Sequence, residues 1–307
     1  MEKKNTLTVI ILRIAQPLLL LGGLFTYTLG LGIVHYLGTP IDWTNAVLGS
    51  LLVVLLILAK NFLAAYYTYP EQIPSPGFLK EAQEGEPDFI SLKELQRSIL
   101  LQIALVSLSV GAGATVLLIF RKALNLAEVF TLGVALILVY FSAVPPMRLD
   151  RRGYAELIES LLLANLFPAI ALLLHETTVH VLLVMLTFPL TFLFLAYRIA
   201  TSLEYYGYDL KHNGTSMVIR MGWQKGMIWH NLSVLLAFFL VGGFLLLRLP
   251  WPLAWPIFLA LPLGILQIIQ IQAITDGAKP HWWLLRLNAL GTFAVATYLI
   301  AFTLWTH

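Results

Sequence analysis

The residues of this chain with the means to do chemistry are charged and amide side chains that interrupt or border long apolar stretches. Lys60 and Asn61 lie inside one stretch, about two turns before its end. Glu204, Asp209, Lys211, Arg220 and Lys225 follow another, and Arg148, Asp150, Arg151, Arg152 and Glu156 surround the start of a third. Ionisable groups at membrane depth are costly and usually face a cavity or a partner. This set mixes carboxylates with a larger number of cations. The mixture suits a phosphorylated ligand: cations offset the phosphate charge, and carboxylates hold Mg2+ that bridges to it.

The elements that must position these groups are membrane helices. A helix crosses the hydrocarbon core with about 20 mostly apolar residues. Stretches of that kind lie near 8–35, 43–67, 97–120, 125–143, 154–174, 178–200, 226–247, 252–273 and 284–305. Their continuous, Leu-rich character predicts helices rather than a barrel, whose strands alternate over about 10 residues. The composition agrees, with 59% hydrophobic and 11% charged residues against about 25% charged in soluble domains. One polytopic domain of all-α integral-membrane class is expected.

Cations fall on alternate loops. Lys3, Lys4, Arg13, Lys80, Lys93, Arg97, Arg148, Arg151, Arg152, Arg198, Lys211, Arg220, Lys225, Lys279 and Arg286 share one side; only Arg121, Lys122 and Arg248 lie on the other. The positive-inside rule then predicts a cytoplasmic N-terminus and, with an odd number of spans, an outward C-terminus in a cell membrane. Arg13 interrupts the first apolar run and no A-x-A site follows, so an uncleaved first helix is expected. The charge asymmetry reflects topology, and no nucleic-acid partner is expected. With no cysteine, disulfide, thiolate and iron–sulfur chemistries are excluded.

The outer loops are short, whereas the inner loops 68–96, 144–153 and 201–225 are longer. Loop 68–96 carries Pro70, Pro74 and Pro76, which forbid a regular helix there, and then the acids Glu81, Glu84, Glu86 and Asp88. Spans two and six both end in Y-Y-x-Y, at Tyr66-Tyr67-Thr68-Tyr69 and Tyr205-Tyr206-Gly207-Tyr208. That echo reads either as an aromatic belt or as the polar tips of two related halves. No P-loop or G-x-S-x-G is present, and in His175-Glu176-Thr177-Thr178-Val179-His180 the two histidines are one residue too far apart for a helical zinc pair. Gly111-Ala112-Gly113 and Gly242-Gly243 lie in apolar spans and suggest close helix packing.

Residues 140–156, Y-F-S-A-V-P-P-M-R-L-D-R-R-G-Y-A-E, resemble the Tyr-Ser-x-Pro-Pro-x-Arg-Leu…Arg-Gly…Glu segment of the UbiA superfamily of intramembrane prenyltransferases, especially its quinone-biosynthesis members. Residues 209–222, D-L-K-H-N-G-T-S-M-V-I-R-M-G, are similar to the end of that family's second Asp-rich motif and the stretch after it. Phe89–Leu95 resembles the opening of its third helix, and nine spans with long loops after the second and sixth also match. The resemblance implies a nine-transmembrane-helix UbiA-type bundle. It implies two Asp-rich motifs, at the ends of helices two and six, that bind Mg2+ and through it an isoprenoid diphosphate. The tail lies in the bundle beside lipid, and an allylic cation formed by loss of diphosphate alkylates a lipophilic or aromatic acceptor.

The chain departs from that pattern. At the first motif, N-D-x-x-D, stand Ala64-Ala65-Tyr66-Tyr67-Thr68, with Glu71 the nearest acid. At the second, Asp209 matches the later aspartate, Tyr205 replaces the earlier one, and Glu204 is adjacent. The expected metal ligands are therefore Asp209 with Glu204 or Glu71. The expected diphosphate partners are Lys60, Asn61, Arg148, Lys211 and Arg220. Asp209 and the ring faces of Tyr66, Tyr67 and Tyr205, which can shield a carbocation, are the expected catalytic groups. The expected function is a divergent prenyltransferase acting on an isoprenoid diphosphate and an aromatic or quinone-precursor acceptor. A non-catalytic homologue that binds an isoprenoid or quinone or scaffolds a partner is the alternative, and a transporter or another lipid-modifying protein is a third reading.

Overall fold

Long apolar helices dominate the computed structural model, which describes residues 2–69, 72–74, 89–91, 96–211 and 214–307, with side chains over 8–69, 96–211 and 214–307. Among the described residues nine helical runs are long and apolar enough to cross a membrane. They are spans one to nine: Thr8–Tyr36, Trp43–Thr68, Arg97–Phe120, Leu126–Ala143, Ala155–Leu173, Val181–Lys211, Trp223–Leu246, Trp251–Thr275 and Trp282–Thr306. This is an integral membrane protein.

Span six departs most from its sequence-based bounds. It continues as helix to Lys211, well past residue 200. The added turns are polar, which hides them from a hydropathy reading, but contain no proline and are tied down by Ser202 and Glu204. The loop expected over 201–225 therefore shrinks. After it, Met217–Met221 forms a short helix capped by Ser216, whose hydroxyl accepts from the Ile219 amide at 3.4 Å.

Span one breaks at Gln16, whose backbone is left-handed with φ of 52°. The cause is Pro17: it lacks an N–H and disfavours helical geometry in the residue before it. Helix Glu2–Ala15 ends there and Pro17–Tyr36 begins. Span five contains a π-helical turn at Leu162–Leu166, directly before Phe167-Pro168. Asn165 in that turn bonds to Thr191 and accepts from the Thr187 hydroxyl at 3.0 Å, joining spans five and six.

Burial separates the bundle's axis from its rim. The most apolar windows of spans five and six are 78% buried, those of spans three and one 22%, so five and six form the centre. Span one packs on span five so closely that a Cβ on Gly30 would lie 2.3 Å from the Pro168 carbonyl oxygen. Rim residues such as Phe120, Phe130, Phe239 and Leu246 are exposed, as lipid-facing side chains must be. The glycines read as packing sites do not serve as such: nothing described lies within 4 Å of where a Cβ would stand on Gly113, Gly242 or Gly243, and Gly111 has only contacts of 3.8 Å or more. They lie on faces of spans three and seven that no described neighbour approaches closely.

In loop 68–96 the described backbone forms a two-stranded antiparallel ribbon, with Gln72, Ile73 and Pro74 opposite Ser91, Ile90 and Phe89. At the cation-poor end, Asp42 caps span two by accepting from Thr44 and Asn45, and pairs with Arg121 at 2.7 Å. The Asn45 amide, with Arg121 and Thr44, holds the Asp42 carboxyl below the usual carboxylate range. Here His175 bonds to the carbonyls of Ala171 and Asp42, Glu176 accepts from Thr39, and His180 accepts from the Leu182 amide. The near-match to a zinc signature is thus an interface of ordinary caps.

Candidate functional site

The polar residues singled out from sequence gather at the cation-rich end, where segment 144–159 is inserted between the ends of spans two and six. On the span-two side, Arg148 Nη2 lies 3.4 Å from Thr68 Oγ1, and Asp150 Oδ2 lies 3.6 Å from Lys60 Nζ. On the span-six side, the Glu156 carboxylate accepts from Ser202 Oγ at 2.6 Å and from the Met217 amide at 3.1 and 3.2 Å. Arg220 donates to the Arg152 carbonyl at 3.0 Å and lies over the Tyr154 ring. Thr215 Oγ1 is 3.5 Å from the Asp150 carbonyl. The segments 140–156 and 209–222, which carry the sequence resemblance, therefore touch through residues 150–156 and 215–220.

Deeper in the membrane lies an ionic cluster. Lys60 Nζ donates to Glu159 Oε1 at 2.7 Å, and the two side chains are 5% and 6% exposed. Arg198 Nε stands 2.7 Å from Glu159 Oε2 as an ion pair, with an angle too bent for a hydrogen bond. Below the cluster is a cavity of about 10 Å³, lined by Leu19, Leu56, Ile57, Leu163 and Phe167 among others; that is room for about one water. Burial pushes the Asp150 carboxyl above its ordinary range, against the pull of Lys60, and its Oδ1 is buried without a hydrogen-bond partner among the described residues.

The remaining expected site residues are distributed as follows. Lys60 is engaged by carboxylates and Asn61 donates to the Ala15 carbonyl at 3.2 Å, capping the broken end of the first helix. Tyr66 and Tyr67 meet edge to face, with the Arg97 guanidinium over Tyr66. Tyr205 and Asp209 lie one turn apart on the extended span six, and Lys211 is exposed at its end. Gly214 folds back onto Asp209, its amide donating to the Asp209 carbonyl at 2.6 Å; a Cβ there would strike the Asp209 side chain at 2.4 Å. Glu204 pairs with Arg286 of span nine at 3.0 Å. Ala65 is fully buried in an apolar cluster with Ile10, Ile14, Phe62 and Leu100. Glu71 lies outside the described residues.

Sequence reading overlooked Glu159 and the pairings of Arg198 and Arg286. The available signal was depth: an acid one turn inside span five requires a cation at the same level, and Lys60 and Arg198 are the two within reach.

No protein-family model and no curated protein sequence matches the chain. Solved structures do match in fold. A UbiA homolog from Archaeoglobus fulgidus bound to GPP and Mg2+ aligns over 95% of this chain and 99% of its own, with 16% identity and a TM-score of 0.58. A digeranylgeranylglyceryl phosphate synthase aligns over 100% of both chains, with 13% identity and a TM-score of 0.65. An apo UbiA homolog from Aeropyrum pernix K1 aligns over 92% of this chain and 95% of its own, at 15% identity and a TM-score of 0.52. The chain thus has the fold of the UbiA superfamily.

Mg2+ is bound in two of the similar structures, whereas the described donors of this chain do not fit a two-metal cage. Among the described residues no group of three acidic or histidine side chains converges to hold a metal. Asp209 has Tyr205 rather than a second acid one turn away, Glu204 is neutralised by Arg286, and Ala65 faces apolar neighbours.

Proposed function

We propose that this protein is a divergent intramembrane prenyltransferase, moving an isoprenyl group from its diphosphate to a lipophilic acceptor, with an aromatic quinone precursor as the acceptor class. The observation that carries this reading is the fold likeness over nearly the whole chain, 94% of it in the case of a relative bound to DMAPP and Mg2+. It is joined by the contact between the segments 140–156 and 209–222. In this reading Arg148, Lys211 and Arg220 at the cation-rich rim meet the diphosphate. The allylic C–O bond breaks, diphosphate leaves with the electron pair, and the cation forms a bond to an acceptor carbon that then loses its proton. Guanidinium and ammonium groups stabilise the charge that grows on the leaving group. Tyr66, Tyr67 and Tyr205 offer ring faces to the cation, and Asp209 anchors the second helix end. The Glu204–Arg286 pair and the buried Ala65 favour a second reading, a non-catalytic homologue that holds the same lipid without turnover.

Geranyl diphosphate, titrated into purified protein, is the first test. Arg148→Ala or Lys211→Ala is expected to weaken binding by about 1.5–3 kcal/mol, the value of a charged hydrogen bond. Wild-type affinity in a folded double variant would overturn this assignment of the phosphate partners. Release of diphosphate in the presence of an aromatic acceptor separates the catalytic reading from the second.

The same reading places the cation-rich end in the cytoplasm. With no native cysteine, single cysteines at Lys211 or Lys279 are expected to react with an impermeant thiol reagent only from the cytoplasmic side, and one at Thr177 only from outside. Outside labelling at Lys211 would invert the orientation.

A further inference from the structure

We infer that Glu159 is a positioning residue: through Lys60 and Arg198 it locks span two to span six, so that the protein itself sets the separation of the two helix ends. This rests on the proposal above only in taking those ends as the site.

The geometry is that of a bridge. Glu156 and Glu159 stand one turn apart on the first turns of span five, on one face. Glu156 takes Ser202 of span six and the loop amide of Met217. Glu159 takes Lys60 of span two on one oxygen and Arg198 of span six on the other, each at 2.7 Å. Lys60 lies eight residues before Thr68 and Arg198 eleven before Asp209, roughly 12 and 16 Å along stiff helices. Fixing the shafts at that depth sets where their ends can go. In the UbiA pattern the link between these ends is made by metal and diphosphate. Here the first of those ends offers Ala65 and Thr68 in place of acids, and the link is supplied deeper, by the almost fully buried Lys60 and Glu159 and the part-buried Arg198. Their burial also explains why Lys60 is unsuited to meet a phosphate at the rim.

The test is a distance. The cysteine-free chain takes spin labels at Tyr69→Cys and Leu210→Cys, one on each helix end, for double electron–electron resonance in lipid nanodiscs. The expected wild-type result is one narrow distribution, the same with EDTA as with Mg2+ and geranyl diphosphate. Lys60→Met with Glu159→Leu and Arg198→Met removes the charges at similar volume, a change buried ion pairs often tolerate; its distribution is expected to about double in width while the protein stays folded. A folded triple variant with the wild-type distribution would assign the cluster to stability alone and overturn the inference. So would a wild-type distribution that narrows only with Mg2+ and geranyl diphosphate. If the triple variant does not fold, Glu159→Asp decides, because the shorter acid cannot span both cations and an unchanged width again overturns it. Failure of geranyl diphosphate to bind would count against the proposed function and leave the distance comparison intact.

Discussion

Glu159→Gln is expected to lower the stability of the folded bundle by about 3–5 kcal/mol, a large share of any protein's margin. The substitution keeps the shape and removes the charge that faces both Lys60 and Arg198 at 2.7 Å. The buried Lys60 and the part-buried Arg198 would then stand side by side, with Asp150 3.6 Å from Lys60 as the nearest remaining acid among the described residues. Removing one member of a buried ionic group costs far more than the group contributes, because what remains is desolvated and unpaired. The apolar triple variant Lys60→Met, Glu159→Leu and Arg198→Met is therefore expected to recover part of that loss, short of what Asp150, 21% exposed, gives up with its Lys60 partner. Thermal unfolding in detergent, followed by loss of monodisperse protein, measures both. An unchanged midpoint in Glu159→Gln would mean that Lys60 and Arg198 find other partners and that Glu159 does not hold the cluster together.

The contrast between Glu159 and the nine spans shows what sequence alone could and could not reveal. A span is a local property: 20 apolar residues in a row have no alternative in a bilayer, so eight of the nine are legible to within a few residues. Span six was cut short because its last turns, Glu204 to Lys211, are polar and owe their helix to tertiary partners, Arg286 among them. The pairing of Lys60 with Glu159 crosses 99 positions and that of Glu204 with Arg286 crosses 82. Composition marks such residues as costly at their depth but does not say which is the partner. Asn61 shows the same limit. Its place beside a motif suggested a headgroup ligand, yet its amide serves the Ala15 carbonyl, which Pro17 leaves at the end of a broken helix. Arg148 and Arg220 show it too: their described partners, Thr68 and the Arg152 carbonyl, stand 80 and 68 positions away, and only the fold brings them together.

The two positions of the lost first motif are expected to respond in opposite ways to restored acids. Thr68 lies at the end of span two, partly exposed, with Arg148 Nη2 3.4 Å from its hydroxyl. Thr68→Asp places a carboxylate beside a guanidinium and is expected to be tolerated. Ala65 is 0% exposed in the cluster of Ile10, Ile14, Phe62 and Leu100. Ala65→Asp buries an unpaired acid there, at a cost of several kcal/mol, and is expected to abolish recovery of folded protein. The route back to metal binding therefore runs through Thr68→Asp with Tyr205→Asp, the latter one helical turn before Asp209 on the same face of span six. Mg2+ needs only one or two protein carboxylates when phosphate and water complete its shell. In the presence of geranyl diphosphate the double variant is expected to bind Mg2+ about tenfold more tightly than wild type, or about 1.4 kcal/mol, as read by calorimetry. A folded double variant with no gain would mean that the two helix ends do not face a common site. A well-folded Ala65→Asp protein would mean that this turn of span two rotates toward the site, and that the apolar contacts of Ala65 do not hold it.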